Sequence, residues 1–162
     1  MFPTQLIATP DGDVMGWGRP EATSAFAPNA LPNSARTPVF LRWNVRTRTL
    51  ESQTTVAVRP SKTTLSPDGK KVAFLSEQPP NGRRGQYWIE VRNVASISIP
   101  GVLWPTNGVI GNLSWTPDSR QVILCDKKMR VYEAATGNLQ RTIEMRRWLS
   151  DGVCFQSLTF SP

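Results

Sequence analysis

The sequence predicts an all-β chain built from a repeated unit of four short antiparallel strands. Three observations carry the prediction. One turn recurs, as Thr9-Pro10-Asp11-Gly12, Ser66-Pro67-Asp68-Gly69 and Thr116-Pro117-Asp118-Ser119, and Ser161-Pro162 begins a further copy. Residues ahead of each turn alternate, and an apolar run follows each turn, the pattern of two strands joined in a hairpin. The turn prolines at 10, 67, 117 and 162 set a repeat of about 45–57 residues, the range of stacked repeat architectures.

Each element has a local reason. In the turn, proline presets φ, aspartate bonds back to the backbone, and glycine tolerates positive φ. Ahead of it, Leu6 and Ala8, Thr63 and Leu65, Leu113 and Trp115, and Leu158 and Phe160 hold equivalent positions at period two. Behind it run Val14-Met15-Gly16-Trp17, Val72-Ala73-Phe74-Leu75 and Val122-Ile123-Leu124-Cys125. Third strands follow at 40–45, 87–91 and 129–133. Thr49-Leu50-Glu51-Ser52 and Leu139-Gln140-Arg141-Thr142-Ile143 are the candidates for a fourth. Four short strands per unit make one blade of a β-propeller. One domain over 1–162 is expected, with blades at about 4–58, 61–110 and 111–154 and the first strand of a fourth at 155–162. The first blade carries a Pro-, Ala- and Asn-rich loop insert over 19–38. Three blades and one strand leave the ring incomplete.

Ser66-Pro67-Asp68-Gly69-Lys70-Lys71-Val72-Ala73-Phe74-Leu75-Ser76 resembles the repeat core of bacterial WD40-like propellers, including the TolB-like group. Met129-Arg130-Val131-Tyr132-Glu133-Ala134-Ala135-Thr136-Gly137 is similar to the third strand and following turn of WD repeats. The resemblance covers nearly the whole chain apart from the insert. The Trp-Asp pair of that family survives only as Trp43-Asn44, Arg92-Asn93 and Tyr132-Glu133. Its Gly-His pair is absent, because the chain has no histidine. The buried hydrogen-bond network that the family builds on that histidine has no counterpart here. The resemblance implies a divergent, bacterial-type propeller.

Composition narrows the function. The absence of histidine removes Ser-His-Asp and Cys-His catalysis and imidazole metal ligands. The two cysteines, Cys125 and Cys154, sit in apolar strand contexts and read as structural thiols, able to form one disulfide only if they meet in space. The recurring Asp11, Asp68 and Asp118, like Asp13, read as turn chemistry and not as catalytic carboxylates. No glycine loop fits a nucleotide pattern. The chain is therefore expected to be no enzyme and to need no cofactor. Its apolar runs are too short to span a membrane. The start at Met1 lacks the basic and long apolar regions of a signal peptide, so a cytoplasmic location is expected.

Charge supplies the binding hypothesis. Nineteen Lys and Arg face twelve Asp and Glu, giving +7, and fourteen of the cations are arginine. Arg83 and Arg84 sit on a glycine-flanked loop tip. Lys127, Lys128 and Arg130 cluster at a hairpin tip, and Arg42, Arg46 and Arg48 share a strand face with Asn44. Trp104 is the candidate aromatic anchor; packing between neighbouring blades is its other reading. These residues point to a protein–protein interaction scaffold with an acidic partner, because arginine holds carboxylates in a bidentate grip. A solvated outer face that prevents wrong strand pairing is the plain alternative. Two further alternatives are a propeller portion of a larger enzyme or sensor, such as a peptidase or kinase fusion, and a nucleic-acid surface. Self-association or a longer parent chain is expected to complete the ring.

Overall fold

The computed structural model describes residues 3–18, 39–55, 60–76, 86–106, 111–126 and 128–144. The expected insert 19–38, the tip with Arg83 and Arg84, Lys127, Cys154 and the strand at 155–162 lie outside them. Twelve strands form three four-stranded antiparallel sheets among the described residues. The first sheet is β1 (Pro3–Ala8), β2 (Val14–Gly18), β3 (Val39–Asn44) and β4 (Thr49–Thr55). The second is β5 (Pro60–Leu65), β6 (Lys71–Ser76), β7 (Tyr87–Asn93) and β8 (Val102–Thr106). The third is β9 (Asn112–Trp115), β10 (Gln121–Cys125), β11 (Lys128–Glu133) and β12 (Leu139–Glu144). Within each sheet the strands pair in chain order. The all-β reading holds: a short 3₁₀ turn over Val94–Ser96 is the only helical element among the described residues.

The chain divides into two compact units, Met1–Arg59 and Pro60–Pro162. In the first unit, Met15 and Phe40 are buried on one face of the sheet. The second unit holds two sheets packed face to face. Ala73, Leu75, Ile89, Val91 and Trp104 of one meet Trp115, Val122, Leu124, Tyr132 and Ala134 of the other. The alternation of β6, β7 and β10 puts every second residue into this layer. Each fully buried aliphatic side chain there contributes about 1.5–3 kcal/mol.

Two hydrogen bonds stitch these sheets across the layer. The Trp115 indole N–H donates to the Thr64 carbonyl at 3.2 Å. The Asp68 backbone N–H donates to the Ser119 hydroxyl at 3.1 Å. They join innermost strands and their turns in a chain without histidine.

β8 is a strand that the sequence pattern does not announce. Ile99-Pro100-Gly101 and Pro105 read as turn and breaker. Yet Pro105 lies on the outermost strand, the place in a sheet where proline is tolerated.

Candidate interaction surface

The three turns share one polar device. Thr9, Ser66 and Thr116 each donate a side-chain hydrogen bond to the aspartate two residues on, at 2.5 Å for Ser66–Asp68 and 2.6 Å for Thr116–Asp118. Asp68 and Asp118 also accept the backbone N–H of Lys70 and Arg120, at 3.0 and 3.1 Å. The Thr9 hydroxyl and the nearby backbone hold the Asp11 carboxyl below its ordinary value. The Thr116 hydroxyl and the Arg120 N–H lower Asp118. Burial raises Asp68, but the Ser66 hydroxyl and Lys70 N–H outweigh it. These carboxylates are committed to the turn. The first turn closes on Asp13, one residue sooner than the second closes on Lys71.

Ion pairs absorb much of the remaining charge. Arg42 meets Asp11 at 2.8 Å, Asp13 at 2.9 Å and Glu51 at 3.0 Å. Glu90 and Arg92, two residues apart on β7 and both almost fully buried, pair at 2.7 and 3.1 Å. Arg92 also donates to the Ile97 carbonyl at 2.8 Å, and Glu90 accepts the Gly101 N–H at 3.1 Å. The pair thus ties the loop between β7 and β8 back to its strand. Removing one partner would strand a buried charge, at a cost of about 3–5 kcal/mol.

The expected basic cluster is largely neutralised. Lys128 pairs with Glu144 across β11 and β12 at 2.7 Å. Arg130 pairs with Asp126 at 2.9 Å and is mostly buried. Its position is inward: burial pushes the Tyr132 phenol up, and Arg130 partly offsets this. Of the cluster, Lys128 reaches solvent with its amine already engaged, and Arg130 is corrected from a surface contact to a packed ion pair. Both groups lie near the β10–β11 hairpin, which is closed by the Asp126 N–H to the Lys128 carbonyl at 3.0 Å.

Trp104 is corrected as well. It is 6 % exposed and belongs to the layer between the two sheets. Its ring lies 5.9 Å from that of Tyr132. Gly137, at φ +74°, approaches so closely that a Cβ there would stand 2.7 Å from the indole. The packed reading is therefore the one realised, and the ring offers no exposed anchor. Its indole N–H is buried and without a hydrogen-bond partner among the described residues.

Arg42, Arg46 and Arg48 do not form one face. Arg42 is on β3, whereas Arg46 and Arg48 occupy the β3–β4 turn, exposed, with Arg48 at φ +58°. Sequence reasoning passed over the buried Glu90–Arg92 pair, although the two share strand parity. It also passed over the exposed Trp43, Val45 and Leu50 beside that turn. Among the described residues, no group of three or more acidic, Cys or His side chains could hold a metal ion, and no helix is long and apolar enough to cross a membrane. A cavity of about 160 Å³ lined by Lys71, Asn93, Ser96, Ile99, Val102 and Ala134 is smaller than common ligand pockets.

Solved structures resemble this arrangement. The β-propeller domain of the Trilobed protease from Pyrococcus furiosus, with an open velcro topology, superposes at a TM-score of 0.57 and 12% identity. The match covers 91% of this chain and 43% of that one. The fold is that of a β-propeller. The RRP9 WD40 repeats (TM-score 0.56, 14% identity) and U3-55K (0.55, 14%) each match 86% of this chain and 37% and 38% of their own. The propeller sheets here thus span well under half the length of these structures, and each four-stranded sheet is a blade. No protein-family model and no curated protein matches the sequence.

Proposed function

We propose that this chain is a non-catalytic WD40-like propeller segment that scaffolds protein–protein interaction with an acidic partner. One observation carries the reading. The buried charges among the described residues cancel in pairs, Asp13 with Arg42, Glu90 with Arg92 and Asp126 with Arg130, so the +7 surplus is carried by the other positions of the chain. In the sequence, Arg83 and Arg84 fall between β6 and β7, and Lys127 falls in the corresponding place between β10 and β11. Cations at a binding surface speed and orient encounter more than they add affinity.

The test is binding of the purified chain to a polyglutamate peptide and to a single-stranded oligonucleotide across a salt series. Wild type is expected to prefer the peptide, and R83E/R84E/K127E to weaken that binding about tenfold. Unchanged peptide binding in that variant removes the basic-surface reading. Tighter oligonucleotide binding with a steep log–log salt slope replaces it with a nucleic-acid surface.

A second reading is a propeller portion of a larger enzyme or sensor. It is favoured by the protease to which one structural neighbour belongs. A catalytic domain encoded in frame with this segment would support it.

A further inference from the structure

The outer strand of the first blade, β4, has a paired neighbour on one side only among the described residues. Its other side is a row of backbone donors and acceptors. Outer strands are commonly guarded against pairing by proline or by charge. β8 carries Pro105, and β12 carries Arg141 and Glu144. β4 reads Thr49-Leu50-Glu51-Ser52-Gln53-Thr54-Thr55, with neither proline nor a cation. Its single charge, Glu51, is already held by Arg42 at 3.0 Å and by the Asn44 amide at 2.8 Å.

The surroundings of this edge are unusual. Trp43 and Leu50 sit directly opposite each other on β3 and β4, and are 44% and 43% exposed. Val45 is exposed beside them. The turn at the end of the same hairpin presents Arg46 and Arg48, and neither makes an ion pair among the described residues. An open edge, an apolar pair flanking it and two uncompensated cations at one end occur together on a single hairpin.

We propose that β4 is a strand-addition site for an extended acidic peptide. The peptide backbone pairs with the β4 edge and supplies the affinity; one apolar side chain rests beside Leu50 and Trp43, and carboxylates meet Arg46 and Arg48. A second copy of this chain fits less well. Its own β4 brings only Glu51, which Arg42 already occupies. The inference rests on the reading of the chain as a protein-binding module, and assigns binding to residues other than Arg83, Arg84 and Lys127.

The probe is a peptide of about seven residues alternating glutamate with valine and isoleucine, matched to the strand length. It is titrated into the isotope-labelled full chain and followed by NMR. Saturable amide shifts confined to Thr49–Thr55, with a shift of the Trp43 indole, are expected. R46E/R48E should weaken binding about tenfold, with thermal unfolding unchanged as the folding control. Alternate N-methylation of the peptide should abolish binding, because it removes the donors that a strand needs. Equal binding of the N-methylated peptide overturns the proposal. So do β4 shifts that appear with protein concentration alone, which would give the edge to a second copy. Peptide binding that leaves β4 unmoved and is lost in R83E/R84E/K127E removes this inference and leaves the module reading intact. No acidic-peptide binding at either set of residues removes the reading on which it rests.

Discussion

Ser119 shows how a single residue departs from its repeat and gains a role. Gly12 and Gly69 hold the corresponding place in the other two turns, at φ +88° and +71°. Ser119 takes φ +60° without glycine's freedom. A non-glycine residue in this region costs about 1–2 kcal/mol. Its hydroxyl offsets that by accepting the Asp68 N–H of the neighbouring blade. Two variants separate the terms. S119A keeps the backbone strain and loses the bond, and is expected to destabilise by about 1 kcal/mol or slightly more. S119G loses the bond but relieves the strain, and is expected to fall close to wild type. Denaturant unfolding of both variants reads the difference. Equal losses would show that the positive φ costs nothing, and no loss in S119A would show that the bond contributes nothing.

At the scale of the element, the Thr/Ser-Pro-Asp turn makes the hairpins acid-sensitive. Asp11, Asp68 and Asp118 all have lowered pKa values in the folded chain. The folded state therefore binds fewer protons than the unfolded one just below the ordinary Asp value of about 3.9, and stability drops as pH falls there. The contribution is fully present above that value. Thermal melts should be flat from neutral pH to about 5 and decline below about 4. D11N/D68N/D118N should start lower and decline less steeply; an identical acid decline would assign the effect elsewhere. These hairpins were legible because their chemistry is local: Pro, Asp and a residue with positive φ act within four positions. β8 was not, because its proline is acceptable only at a sheet edge, and edges are set by pairing. Arg130 was misread for a similar reason. Its partner Asp126 is near in sequence, but strand parity turns both toward Tyr132. The burial of Trp104 depends on Gly137 and Tyr132 of the next blade, which no local pattern around Val102–Thr106 announces.

At the scale of the whole molecule, blade stability comes from neighbours. Two blades of the second unit bury a shared layer, as repeat architectures require. The first blade leaves Trp43 and Leu50 half exposed on one face. Exposed apolar surface of this kind marks interaction or aggregation. Light scattering over a concentration series is expected to hold near the 18.0 kDa of one chain, because the edge beside Trp43 and Leu50 suits an acidic peptide better than a second copy. Masses that rise with concentration would give that face to self-association. The repeat made the blades readable from sequence, whereas the interaction surface was legible only as net charge. Which cations are spent internally is decided by pairing across strands, as for Lys128 with Glu144.

The bond from Asp68 to Ser119 has a use beyond its energy. Asp68 lies on an exposed turn, where a backbone amide ordinarily exchanges with solvent quickly. Its proton is instead clasped by the adjoining blade. Slow deuterium uptake at that one amide would gauge how often the two blades part, giving the molecule a built-in reporter of its own seam.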